Sequence, residues 1–109
     1  MTDSAILKRL REILAIPGDR VGKARRITAA LREAGFPWVG IRDRSGLLAW
    51  SPPSPGPPRR SVLEVPIPSA TGEPLGMLEV ASDLPEAFGD EQRRGLEAIA
   101  EMLGPLWNV

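Results

Sequence analysis

The sequence contains no cysteine and no histidine, and tyrosine is also absent from its 109 residues. These absences exclude zinc sites built on Cys or His, disulfides, thiol redox chemistry and nucleophiles activated by a histidine. Lysine occurs only at Lys8 and Lys23, which also excludes a phosphate-binding loop with its lysine later in the chain. The composition therefore predicts a protein that is not an enzyme and that holds no metal and no cofactor.

Long hydrophobic runs are missing as well. No apolar run approaches the roughly 20 residues that a membrane span needs. Residues 1–14 mix charged side chains with apolar ones, which is not the pattern of a signal peptide. We therefore expect a cytoplasmic protein without membrane contact. Arginine greatly outnumbers lysine and proline occurs 12 times, so the composition is thermophile-like.

The net charge is zero, but the charges are unevenly distributed. Residues 1–60 carry 12 basic and 5 acidic residues, whereas residues 61–109 carry 2 basic and 9 acidic residues. Nucleic-acid binding through the basic helix 20–34, with Arg25, Arg26 and Arg32, is one interpretation. No nucleic-acid motif accompanies these charges, so we favour neutralisation of one half by the other, within one domain or across a dimer.

Periodicity divides the chain into helices and strands. Apolar residues at three- and four-residue spacing predict helices at 4–15, 20–34 and 90–103. Asp3 or Ser4 is expected to cap the first helix, which Pro17 and Gly18 end. Alternating, β-branched segments predict strands at 36–42, 47–51, 61–68 and 75–81.

Prolines mark the connections and one sheet edge. Residues 52–60 contain five prolines and are interpreted as a stiff surface connection rather than as a ligand for a proline-binding partner. Pro66 and Pro68 cannot donate to a ladder, which predicts an edge position for the strand 61–68. We treat residues 1–109 as a single minimal domain, in which 1–18 form an N-terminal helical segment.

Three stretches carry a resemblance to a known family. They are WVGI at 38–41, VPI at 65–67 followed by LGMLEVAS at 75–82, and PEAFGDEQ at 85–92 ahead of the last helix. In this order and spacing the chain resembles a GAF domain. The resemblance implies an α+β, two-layer fold, in which a four-stranded antiparallel sheet of order 2-1-4-3 has the N- and C-terminal helices on one face.

Alternation along the strands predicts two unlike faces of the sheet. The first face collects apolar side chains that pack against the helices: Val39, Ile41, Leu63, Val65, Ile67, Leu78 and Val80. The second face collects Trp38, Arg42, Glu64, Met77 and Glu79. The resemblance implies a ligand on the second face, with Trp38, Arg42, Glu64, Glu79 and Trp50 as candidate ligand-binding residues. The alternative is an ion-pair ladder, with the tryptophans packed against the nearby loop.

Two departures from the family pattern weaken the ligand prediction. GAF domains usually insert several tens of residues where this chain has only 52–60, which predicts a reduced or absent small-ligand pocket. The chain is most similar to the free methionine-R-sulfoxide reductases within the family. Those enzymes react through cysteines, which this chain lacks, and Arg42, Val62 and Ala81 stand where they have a Tyr and two acids. Reduction by that route and covalent bilin attachment are therefore excluded.

The terminal helices predict an interaction surface, because in this family such helices join protomers. The candidate homodimer residues are Leu7, Leu10, Leu14, Leu103 and Trp107. We expect a non-catalytic regulatory or signalling module that acts through dimerisation and contact with a signalling protein partner. The alternatives are a small-molecule sensor whose pocket a partner subunit completes, and the nucleic-acid binder described above.

Overall fold

The computed structural model of the protein describes residues 4–52 and 60–107. Its elements are α1 (Ser4–Ala15), α2 (Arg20–Glu33), β1 (Trp38–Asp43), β2 (Gly46–Ser51), β3 (Ser61–Ile67), β4 (Gly76–Ser82), α3 (Asp90–Met102) and a 3₁₀ turn (Gly104–Trp107). Every end of the three α-helices and four strands lies within two residues of its prediction, whereas the 3₁₀ turn was not predicted. The proposed cap at Asp3 or the Ser4 side chain, and residues 53–59 of the proline-rich connection, lie outside the described residues.

The four strands form one antiparallel sheet in the order β2-β1-β4-β3, as predicted. β1 and β4 are central, so residues of β1 have neighbours on both sides; Gly40 lies between Trp50 of β2 and Glu79 of β4. The β1–β2 register shifts between Ile41 and Arg42, and this bulge leaves Leu48 as the extra residue of β2. The fold is therefore α+β, and its pleat separates two faces of the sheet.

The helices cover the first face. α2 packs on β1 and β2, and α3 packs on β3 and β4. All seven residues of the first face are buried, and all but Leu63 are fully inaccessible. Burying one such side chain contributes about 1.5–3 kcal/mol of transfer free energy, so this face holds the sheet and the helices together. α1 packs chiefly against α2 and α3, and thus forms an outer helix over the helical layer.

Polar contacts fix the first two helices to one another. Asp19 caps α2 by accepting a hydrogen bond from the Gly22 N–H at 2.8 Å. The buried Lys23 donates from Nζ to the carbonyl of Leu14 at 3.0 Å, which satisfies one of the open carbonyls at the end of α1. Near the other end of α2, Arg9 and Glu33 form an exposed ion pair at 2.6 Å.

The strand β3 lies at the sheet edge, as its prolines predicted. Pro66 is exposed and pairs in register with Met77. The hairpin to β4 closes with a hydrogen bond from the Leu75 N–H to the Ile67 carbonyl at 2.8 Å, and Gly72 takes a left-handed conformation in the loop. Because Pro66 has no N–H, the open edge of β3 lacks one of the backbone donors that another strand would need for pairing.

The structure places the candidate dimer residues differently from the sequence prediction. Leu10 and Leu103 are fully buried inside the chain, so neither has surface to offer a partner. Leu7 and Leu14 are half-buried and pack against the core. Trp107 is also half-buried: its ring lies against Gly76, where an added Cβ would come within 2.9 Å of it. These apolar side chains are covered largely by their own chain, because α1, α3 and the 3₁₀ turn pack them against the core.

Candidate functional site

The second face carries a compact polar cluster on the central strands. Its members on β1 and β4 are Trp38, Gly40, Arg42, Met77 and Glu79, and β3 adds Glu64 directly opposite Glu79. The alternation that buries the first face brings all these residues to the other side. The four candidate ligand residues on β1, β4 and β3 therefore lie on adjacent strands, as the sequence predicted, and Trp50 lies on the next strand, β2.

Trp38 is the buried centre of this cluster. Its side chain is only 1% exposed, although it lies on the face away from the helices. The indole rests on Gly40: a Cβ built on that glycine would lie 2.5 Å from Cη2 and 2.9 Å from Cζ3 of the ring. Gly40 therefore makes room for the ring, and no larger residue fits beneath it without movement.

The indole Nε1 of Trp38 is buried and has no hydrogen-bond partner among residues 4–52 and 60–107. A buried donor without an acceptor costs about 1–3 kcal/mol, and almost all such groups in folded proteins find a partner. The second face thus contains one strong donor that the described part of the chain does not satisfy.

Glu79 supplies a buried acidic group on the same face of the sheet. The side chain is 9% exposed and accepts a hydrogen bond from Arg42 Nη2 at 2.9 Å. Burial raises the pKa of Glu79; the Arg42 cation opposes this, while the charge and the hydrogen bond of Glu64 raise the pKa further. Two carboxyl groups facing each other across one strand pair favour a bound cation.

Comparison with known proteins identifies the architecture. No family model matches the sequence, and no curated protein matches it. A chain from Burkholderia vietnamiensis, assigned as a GAF sensor protein, superposes with a TM-score of 0.75 at 16% identity, over 93% of this chain and 84% of that one. The fold is GAF-like.

A second solved structure shares this GAF-like fold. The type II free methionine-R-sulfoxide reductase from Thermoplasma acidophilum superposes with a TM-score of 0.59 at 22% identity, over 81% of this chain and 94% of that one. At these identities the shared property is the fold, which is used both by a sensor and by an enzyme. The fold prediction is confirmed, and function has to be argued from the side chains.

Trp50, the fifth candidate, lies on β2 directly opposite Gly40, and so on the second face of the sheet in this GAF-like domain. Its backbone pairs with Gly40, but its side chain is 43% exposed. It lines a hollow of about 350 Å³ between α2 and β2, together with Arg25, Leu48 and Ala49. The two tryptophans therefore share the second face, where Trp38 is buried and Trp50 is exposed.

A larger cleft, which the sequence interpretation missed, lies at the end of the sheet beside Trp107. It has a volume of about 560 Å³ and is lined by the α2 start, the β1–β2 turn and the β3–β4 loop. Arg20 spans one wall: its Nε donates to the Leu106 carbonyl at 3.1 Å, and its guanidinium lies 5.6 Å from the centre of the Trp107 ring. The guanidinium group of Arg20 therefore already has partners within the chain.

Asp43, which also lines this cleft, likewise has its hydrogen-bond partners within the chain. The Ser45 hydroxyl donates to its Oδ1 at 2.6 Å and the Ser45 N–H at 2.8 Å. These hydrogen bonds, the hydroxyl first, hold the pKa of Asp43 below its usual value against the opposing effect of burial. An Asp two residues before a Ser in a turn is the signal that would have predicted this contact. Asp43 in this cleft therefore stabilises the β1–β2 turn.

In the part of the chain that the structure describes, no group of three or more acidic side chains is arranged to hold a metal ion. None of the helices within 4–52 and 60–107 is long and apolar enough to cross a membrane.

Proposed function

We propose that this protein is a non-catalytic, GAF-like sensor module that binds a small polar molecule on the second face. The observation that carries the proposal is the buried Nε1 of Trp38, a donor without an acceptor among the described residues, on the same face as the buried Glu79. The sequence had favoured action through dimerisation with little or no pocket. The polar cluster supports the sensor interpretation instead, because a core needs neither an orphan donor nor a buried acid.

The cluster defines the chemistry of its ligand. Trp38 needs a hydrogen-bond acceptor, and the facing carboxyl groups of Glu64 and Glu79 suit a protonated amine. A small molecule with a polar oxygen and an ammonium group satisfies both requirements. Free methionine-R-sulfoxide, the substrate named for the Thermoplasma reductase, has both groups and is the first probe to test. Without cysteine, binding is expected to proceed without reduction.

The same strand that carries the cluster connects it to the helices. Along β1, Trp38 and Gly40 alternate with Val39 and Ile41, and the latter two are buried in the core that α2 covers. A ligand that moves the Trp38 ring therefore acts on the strand beneath α2. If the ligand binds more tightly to one of two packings of α2 on β1, its binding shifts the population toward that packing.

Isothermal titration calorimetry of the wild type and two matched variants tests the proposal. Trp38→Phe keeps an aromatic ring but removes the N–H, whereas Trp107→Phe makes the same change in the separate cleft at the end of the sheet. We expect binding of methionine-R-sulfoxide to be weakened about tenfold by W38F, the effect of one lost hydrogen bond, and to be unchanged in W107F. Methionine, which lacks the sulfoxide oxygen, should bind the wild type more weakly. Absence of binding to the wild type, or an equal loss in both variants, would overturn the proposal.

A further inference from the structure

The two open edges of the sheet differ in the backbone donors that they offer. β3 lies at one edge and contains Pro66, which has no N–H for another strand. β2 lies at the other edge and contains no proline. In the part of the chain that the structure describes, no strand pairs with its outer side, and Ala49–Ser51 follow the bulge in regular register with β1. This stretch of β2 therefore presents backbone N–H and C=O groups for an added strand.

A hollow lies along this open edge of β2. Its volume is about 350 Å³, and it is lined by Arg25 of α2 with Leu48, Ala49 and Trp50 of β2. Ala49 pairs with Ile41 of the first face. Trp50 pairs with Gly40 of the second face, so the side chains of residues 49 and 50 point to opposite sides of the sheet. A hollow that touches both side chains follows the outer edge of the strand rather than one face.

Toward the end of β2, α2 and the strand line a second depression. It has a volume of about 260 Å³ and is lined by Ala29, Arg32 and Glu33 of α2 with Ser51 of β2. From Arg25 to Arg32 the helix rises about 10 Å, and from Leu48 to Ser51 the strand advances about the same distance. Helix and strand thus form two walls of similar length, which accommodate about three residues of an extended chain. We call the hollow and the depression together the edge groove.

The charges of the edge groove indicate the chemistry of its occupant. Arg25 and Arg32 are exposed, and within residues 4–52 and 60–107 neither forms an ion pair. Glu33, the acid in the groove, is already bound to Arg9 at 2.6 Å. An added strand would direct alternate side chains toward these α2 cations and the others toward the second face, where Trp50 is 43% exposed. The groove therefore favours a segment in which acidic and apolar residues alternate.

We propose that the edge groove binds an extended acidic segment of a partner protein, which adds a strand beside β2. Backbone hydrogen bonds hold the segment on Ala49–Ser51, and its acidic side chains approach Arg25 and Arg32. A single-stranded nucleic acid would meet the same cations, but its backbone has no row of N–H and C=O groups to pair with a strand edge. A peptide therefore uses both features of the groove, whereas a nucleic acid uses only one.

Fluorescence anisotropy with a labelled synthetic peptide tests the strand pairing. The probe is a short peptide in which glutamate and valine alternate. Its matched control has the same sequence with every backbone nitrogen methylated, which keeps the side chains and the charge but removes the donors. We expect the methylated peptide to bind about tenfold more weakly or less, because it cannot form the backbone ladder. Equal binding of the two peptides, or no binding of the unmodified one, would overturn the proposal.

Charge reversal on α2 tests the contribution of the two cations. The double variant Arg25→Glu with Arg32→Glu should weaken binding of the unmodified peptide about tenfold, because two attractive contacts become repulsive. Arg93→Glu with Arg94→Glu makes the same change of net charge at exposed positions of α3, outside the groove, and should change the affinity little. Equal losses in the two double variants would contradict the proposal, since they would reflect net charge alone.

Hydrogen exchange of the backbone amides locates the bound peptide. Binding should slow exchange in residues 46–51 of β2 and leave residues 61–67 of β3 unchanged. Protection of β3 instead would overturn the proposal, as would a single-stranded oligonucleotide that binds more tightly than the peptide through Arg25 and Arg32. Protection of β2 that grows with protein concentration before peptide is added would assign the edge to a second copy of the chain and would also overturn it. W38F should leave peptide binding unchanged, so this proposal and the ligand site fail separately.

Discussion

The two faces of the sheet are built from the same four strands and differ in how their residues are held. On the first face, residues such as Ile41 and Leu78 are surrounded by other apolar side chains and are fully buried. On the second face, Trp38 and Glu79 each depend on one or two particular neighbours: Gly40 for the ring, and Arg42 with Glu64 for the carboxyl group. Each residue of the first face is held by many apolar neighbours, so no single neighbour is essential. On the second face Trp38 and Glu79 are each held by one or two contacts, which a single substitution removes.

The largest predicted contrast compares neighbouring residues of β4. Leu78→Ala leaves a cavity in the core and should lower the free energy of unfolding by about 2–5 kcal/mol. Met77→Ala, one position away on the half-buried second face, should cost about 1 kcal/mol or less. Urea denaturation measures both. Equal losses would mean that the two faces are packed alike.

An intermediate effect is expected from filling the space beneath Trp38. Gly40→Ala places a methyl group 2.5 Å from the indole and should cost about 1–3 kcal/mol, because the ring has to move. Gly18→Ala is the control, since its Cβ would meet Lys23 at an ordinary 3.9 Å. In W38F the cost of G40A should fall, and the coupling between the two positions can be read from a double-mutant cycle of unfolding free energies. A cost that is independent of residue 38 would show that the ring does not rest on Gly40.

The smallest effect concerns the pH dependence contributed by Glu79. Burial raises its folded-state pKa above the reference value of 4.5, so between these values the folded chain holds a proton that the unfolded chain has lost. Stability relative to Glu79→Gln should therefore fall as the pH rises above 4.5, and level off above the folded-state pKa. Unfolding curves at a series of pH values measure this difference. Glu101→Gln, at an exposed position of α3, controls for the lost charge, and a rise of relative stability with pH would reverse the sign and contradict the assignment.

Periodicity was enough to locate the elements and the two faces. Val39, Ile41, Leu78 and Val80 alternate with residues of the second face, and this period-two pattern fixes which side of each strand is buried. The order of the strands came from the family resemblance instead, because alternation within a strand does not specify its neighbours. The bulge at Leu48 was not predicted, since one extra residue leaves no local sequence signal in this hairpin.

The site was predicted in outline, and its central interaction was missed. Arg42, Glu64 and Glu79 were correctly assigned to one face, and the structure brings Arg42 and Glu79 into contact. Burial of Trp38 depends on the absence of a side chain at Gly40, two positions along the same strand, which the polar pattern does not reveal. Sequence also could not decide whether Leu10 and Leu103 are buried by their own chain or by a partner, because both arrangements give the same helical periodicity.

Pro66 on the exposed edge of β3 has a consequence for solubility. The chain has 14 basic and 14 acidic residues, so no net charge keeps its copies apart in solution near neutral pH. An uninterrupted edge strand could then pair edge to edge with a strand of another copy, and such pairing can continue without limit. Because Pro66 lacks an N–H, that edge offers an incomplete template. Protection of this edge against pairing with other copies therefore comes from one missing backbone donor rather than from electrostatic repulsion.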